Sequence, residues 1–223
     1  MFETLEALKH LLWPTRCAAC DVLLDDPSKL ICDRCHLAIS PAAPVPAPPA
    51  PLTSAWALFY YEGAVSNLIA RWKYHEDFAA QKALFSLIPE RIEALKAFVP
   101  ANACMIPVPP HPHRLRERGY DPVWSFASRL HRILVEHALE IPFVEDRLVR
   151  TRHTAHQAKL SREERLQNLD GAFAVQGTLE SPCILLIDDV YTTGSTSVAC
   201  AQTLMASGAQ RVDVLTLAQT VES

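Results

Sequence analysis

The chain has 223 residues, 49% of them hydrophobic and 21% charged, and a formal net charge of −4. That length fits one large domain, or one domain with a small appendage, and excludes a large multidomain machine. The composition excludes a wholly disordered chain, and the charge argues against a generic polyanion binder.

Cysteine and proline are unevenly spread. Four of the seven cysteines fall between Cys17 and Cys35, and six of the seventeen prolines fall between Pro41 and Pro51. This separates a small cysteine module, a stiff spacer and a larger body, with boundaries at 1–40, 41–51 and 52–223. Neither a membrane-length apolar run nor a basic leader with an apolar core is seen, so the expectation is a soluble cytoplasmic protein. In a reducing cytosol, clustered cysteines are more often metal ligands than disulfides. Charge is segregated as well: residues 111–165 hold eleven Lys/Arg against eight Asp/Glu, whereas residues 170–223 hold one Arg against six acids.

In chain order, Phe2, Leu5, Leu8 and Leu12 mark one face of a helix over 2–13, which Pro14 stops. Cys17 and Cys20 then form one C-x-x-C turn, and Cys32 and Cys35 a second, with His36 as a neighbouring spare ligand. Two such turns joined by a short loop can complete a tetrahedron around Zn²⁺, and a four-sulfur site without an open position has a structural role. PAAPVPAPPAP, 41–51, cannot form a helix or a central strand and reads as an extended spacer.

The body reads as alternating elements. Strands are expected at 55–61, 104–108, 183–187 and 212–218, and helices over 63–96 with interruptions near 74–77 and at Pro89, over 122–139 and over 195–207. The prolines from Pro107 to Pro112 mark a turn, and 150–171 is polar and basic without a clear period. Strands alternating with helices indicate an α/β fold with a mainly parallel sheet. Cys104, Cys183 and Cys200 stand in apolar surroundings as core residues.

The chemistry concentrates in ILLIDDVYTTGSTS, from Ile184. An apolar strand delivers Asp188 and Asp189 at its carboxyl end, where ligands of parallel sheets sit. Thr192, Thr193, Gly194, Ser195 and Thr196 follow and can cradle a phosphate with backbone N–H groups and hydroxyls at a helix N-terminus. No P-loop lysine and no G-x-G-x-x-G occur. Paired carboxylates beside a monophosphate cradle suit a phosphorylated sugar.

Residues 184–196 resemble the type I phosphoribosyltransferase signature, and the motif order narrows the resemblance. YEGAVSNLIARWKY (61–74), MIPVPPHPHRLRERGYDPV (105–123) and RTRHTAHQAKLSREERLQNLDGAF (150–173), together with the four-cysteine ribbon, are similar to the ComF/GntX family almost end to end. One departure is that Arg118, Gly119, Tyr120, Asp121 and Pro122 stand where that family usually reads R-G-F-N-Q.

The resemblance implies a type I phosphoribosyltransferase-like domain that binds phosphoribosyl pyrophosphate (PRPP) with Mg²⁺. The acids Asp188 and Asp189 would serve the ribose, residues 192–196 the phosphate, and Arg114 and Arg118 the pyrophosphate. The basic stretch would be a mobile cover supplying Arg150, Arg152, Gln157, Lys159 and Arg165. Thr192 replaces the aspartate of purine-salvage relatives, which weakens a hypoxanthine-like acceptor. Three functions stay open: a competence protein handling single-stranded DNA, with DNA-uptake proteins such as a helicase as partners; an active transferase on a nitrogenous acceptor; and a non-catalytic PRPP sensor. Trp72, Tyr74, Tyr120 and Trp124 lie near basic residues and are candidates for base stacking.

Overall fold

The computed structural model describes residues 15–151 and 169–221. The helix expected over 2–13 lies outside them. Among the described residues, six strands form: β1 (Ser54–Tyr60), β2 (Cys104–Pro107), β3 (Leu148–Arg150), β4 (Phe173–Val175), β5 (Cys183–Tyr191) and β6 (Arg211–Gln219). The helices are α1 (Asp33–Leu37), α2 (Gly63–His75), α3 (Phe78–Ser86), α4 (Ile92–Phe98), α5 (Pro112–Arg118), α6 (Pro122–Glu136) and α7 (Ser195–Ala206), with a 3-10 turn at Ile88–Arg91.

The main sheet is parallel throughout, in the order β1-β6-β5-β2. Its central strands are rich in buried apolar residues because helices cover both faces: Ile184, Leu185, Leu186 and Ile187 are all buried, as are Val212, Val214, Leu215 and Leu217, with Asp213 and Thr216 as buried polar residues among them. One core holds Trp72, Leu84, Phe126 and Leu130 from α2, α3 and α6. The other holds Val198, Cys200 and Leu204 from α7 with Leu148 and Phe173 from the β3–β4 pair. This is the α/β, type I phosphoribosyltransferase-like arrangement expected, preceded by the cysteine ribbon, and Cys104, Cys183 and Cys200 are buried in it. Among the described residues, no helix is long and apolar enough to cross a membrane.

Three local departures have physical reasons. The proline-rich turn after β2 continues into a helix, α5, because Pro112 sits at its first position, where no N–H is needed, and the His111 ring accepts from the His113 N–H at 3.2 Å. Strand β5 does not end at Asp189: it runs to Tyr191 because β6 is equally long and pairs Val190 with Ala218 and Tyr191 with Gln219. No strand is expected from the sequence at β3, which runs into the aperiodic 150–171 stretch and pairs antiparallel with β4 across a long connection.

The spacer lies along the outer edge of β1. Ala42 N donates to Leu58 O at 3.2 Å, Val45 N to Ala55 O at 2.9 Å, and the Trp56 indole to Ala42 O at 2.9 Å. Prolines suit that position because an edge strand needs only some of its backbone donors. The ribbon also packs on the body: Leu24 and Ile31 join the core of α2, and Arg71 Nη1 meets Asp21 Oδ1 at 2.7 Å.

Candidate functional site

The four cysteine sulfurs lie within 4.8 Å of one another. Cys20 Sγ and Cys32 Sγ are 3.8 Å apart, which is the edge length of a sulfur tetrahedron with bonds of about 2.3 Å. The first turn is a hairpin closed by Cys17 N→Val22 O at 2.8 Å, and the second is the start of α1, where Cys32 is the N-cap. Backbone N–H groups point at sulfur: Cys32 N lies 3.3 Å from Cys17 Sγ, and Cys35 N lies 3.4 Å from Cys32 Sγ. Burial opposes ionisation of Cys17, but the N–H groups of Cys32, Ala19 and Cys20 outweigh it and bring the thiol down to about 7. Cys35 is pushed strongly upward by burial and by its sulfur neighbours. The Cys17 thiolate forms readily while Cys20 and Cys35 resist, which is the state of a cluster that a soft divalent cation such as zinc would complete. His36 stands aside from the sulfurs: its Nε2 meets Glu90 Oε1 at 2.9 Å.

The second centre is the carboxyl edge of the sheet. Because β2 and β5 are parallel neighbours, Val108 N reaches Ile187 O at 2.8 Å, and the segment leaving β2 starts beside Asp188. Strand alternation sends the two acids to opposite faces. Asp189 faces α2, where Lys73 Nζ meets its Oδ2 at 2.5 Å with both side chains largely buried. Asp188 faces α7 and β3, near enough to Cys200 and Arg150 to perturb both. Burial raises the Asp188 carboxyl to about 7, and the Asp189 charge adds to that, while the Asp189 N–H donated to its Oδ1 at 2.8 Å and Lys73 work the other way.

Sequence reasoning missed Lys73. The signal was present: Val65, Ile69 and Lys73 stand four apart on the buried stripe of α2, so a cation continues an apolar face. A lysine there requires a buried counter-charge.

The loop after β5 enters α7 directly. Gly194 is the N-cap with φ +73°, and a Cβ there would lie 2.5 Å from the Tyr191 hydroxyl oxygen, so both backbone and space demand glycine. Thr193 and Ser195 hydroxyls are 2.9 Å apart, Ser195 is buried, and Thr192 is exposed.

The α5–α6 joint explains the Arg118–Pro122 motif. Gly119, at φ +71°, ends α5; Asp121 caps α6 by accepting from Val123 N at 2.9 Å; and Pro122 takes the first helical position. Between them the Tyr120 hydroxyl donates to Trp72 O. Burial raises the Asp121 carboxyl, and the Asp189 charge raises it further. Arg118 stacks 5.1 Å from the Tyr74 ring centroid. Arg150 lies 5.3 Å from the Phe173 ring; burial disfavours its charge, and Arg114 is close enough to add to that effect. Arg114, Arg118, Arg150, Asp188 and Asp189 therefore gather around one edge. Arg152, Gln157, Lys159 and Arg165 lie outside the described residues.

No family model matches the chain. It is 31% identical over 165 residues to competence protein F of Haemophilus influenzae, covering 72% of this chain and 70% of that protein. It is 29% identical over 161 residues to competence protein ComFC of Streptococcus pneumoniae, covering 72% of this chain and 66% of that one. Over a shorter stretch of 74 residues it is 40% identical to the DNA utilization protein YhgH of Escherichia coli, 33% of each chain.

Proposed function

The chain belongs to the ComF family, and on that footing we propose that it is a cytoplasmic competence and DNA-utilisation protein that binds PRPP with Mg²⁺ and assists uptake or handling of single-stranded DNA in natural transformation. The relatives named for competence and DNA utilisation support the second half of this reading. The observation that carries the first half is the edge of β5, where Asp188 and Asp189 precede the Thr192–Thr196 entry into α7.

Two carboxylates accept hydrogen bonds from ribose hydroxyls, while hydroxyls and N–H groups at the first turn of α7 hold a phosphate. Arg114 and Arg118 supply positive charge for the pyrophosphate, with Arg152, Gln157, Lys159 and Arg165 as the covering segment. Mg²⁺ fits an edge whose donors are hard carboxylate oxygens, and when bound it would neutralise the pyrophosphate charge. Zinc in the ribbon would fasten residues 1–40 as a module, joined through 41–51 to the body at 52–223.

Calorimetry with PRPP and Mg²⁺ tests the site. The wild type should release heat of binding and the Asp188→Asn/Asp189→Asn variant should not; equal heats in both would undo the assignment. A salt-titrated single-strand binding assay tests the DNA half, which fails if no affinity exists at low salt.

A further inference from the structure

Beside the carboxyl edge lie aromatic rings that the ribose and phosphate reading leaves unused, next to the α5 arginines that it shares. Tyr74 and Phe78 are 63% and 60% exposed, whereas Trp72, Phe59 and Phe126 are all but fully buried. Trp72 therefore belongs to the core and is withdrawn as a stacking residue. The Phe78 and Tyr120 rings are 5.9 Å apart, and Arg118 lies over Tyr74.

Tyr74 and Phe78 are open and Tyr120 is half-buried, and the backbones of all three are fixed. Tyr74 is in the last turn of α2 and Phe78 opens α3. Asp77 between them accepts from Ala79 N and Ala80 N at 2.9 and 3.1 Å and is clamped by Arg71 at 2.7 Å. Tyr120 is anchored through its hydroxyl to Trp72 O. A rigid set of aromatic faces loses little entropy when a planar ligand stacks on it.

Charge selects the ligand. The short helix α5, which ends at Arg118, carries Arg114, Arg116 and Arg118 against the single acid Glu117. Aromatic faces interleaved with guanidinium groups match alternating bases and phosphates. We propose that Tyr74, Phe78 and Tyr120, flanked by the arginines of α5, form a base-stacking platform for single-stranded DNA. The proposal deepens the DNA-handling reading and rests on it, since it assigns that activity to one surface.

The test uses the full chain and a fluorescent oligothymidylate of about 20 nucleotides, with an abasic strand of equal length as its control. The wild type should bind the base-bearing strand about tenfold or more tightly than the abasic one. Tyr74→Ala/Phe78→Ala should lose about tenfold or more on the base-bearing strand and little on the abasic strand, because each stacked base contributes that order of affinity. Its salt dependence and melting temperature should stay at wild-type values, since both side chains are exposed and the arginines remain.

A double variant with wild-type affinity and discrimination would overturn the platform and leave single-strand binding standing elsewhere. A wild type that binds neither strand at low salt would overturn the platform and the DNA-handling reading together. A concentration-dependent dimer abolished by the double variant, with oligonucleotide binding unaltered, would assign the surface to a second copy of the chain and overturn the proposal.

Discussion

The cysteine ribbon and the carboxyl edge of the sheet both gather polar groups at close range, yet they are finished in different ways. In the ribbon, four like groups converge within a short stretch of chain, and their proton affinities are driven apart, Cys17 downward and Cys35 upward. Nothing among the described residues supplies a cation to the sulfurs. At the sheet edge the acids arrive from β5 and the start of α6, and Lys73 from α2 already neutralises one of them. A cluster built from one type of donor depends on an external ion, whereas one built from opposite charges is held by the fold itself.

The largest effect that sharpens this contrast is removal of the ribbon's ion. The purified chain should carry about one zinc per chain, and Cys32→Ser or a strong chelator should release it; peptide sites of this kind bind zinc with about 10–16 kcal/mol. Hydrogen exchange should then show residues 15–40 unprotected while the amides of β5 and β6 stay protected. If the sheet melts together with the ribbon, the two regions are one cooperative unit and the contrast fails.

Next in size is Lys73→Met, which leaves the Asp189 carboxylate enclosed without its cation. Breaking a buried pair by removing one partner costs about 3–5 kcal/mol, and the partial exposure of Asp189 trims this to roughly 2–3 kcal/mol. Combining it with Asp189→Asn should recover much of the loss. Urea unfolding of the two single variants and the double would then give a coupling energy on the order of 1–3 kcal/mol. Additive losses would show that Lys73 matters for packing alone.

The same contrast explains what could be read in the sequence. The ribbon was legible because its geometry is local: two C-x-x-C turns state their own spacing. Strand β5 and the 192–196 loop were legible because a continuous branched run followed by small hydroxylated residues has few other uses. The Lys73–Asp189 pair was not, since it joins residues far apart in the chain through the packing of α2 on the sheet. Helix α5 was hidden by its prolines, which read as a turn until His111 is seen capping it. The extension of β5 to Tyr191 depended on the length of its neighbour β6, which no local pattern in β5 reports.

The smallest effect concerns Asp188 and separates stability from ligand affinity. Burial raises its carboxyl to about 7 in the folded chain, against about 3.9 when unfolded. Between those values the folded state holds the proton more tightly, so this group contributes stability below about pH 4 and the contribution is lost as pH rises through 7. Asp188→Asn removes the penalty of an ionised, enclosed carboxylate. The full shift corresponds to about 4 kcal/mol, which the partial exposure of Asp188 cuts to on the order of 1 kcal/mol, so the variant should gain that stability over the wild type at pH 8 and match it near pH 4. Thermal melts at the two pH values check this, and an equal difference at both would mean that the substitution acts through packing. PRPP affinity should move the other way if Asp188 accepts ribose hydroxyls as a carboxylate: wild-type binding weakens below pH 7 as the acceptor is protonated. A site at the end of a buried strand would thus give up stability at neutral pH in order to hold an ionised acceptor, a conflict that the ribbon, with its charge open to compensation by metal, does not face.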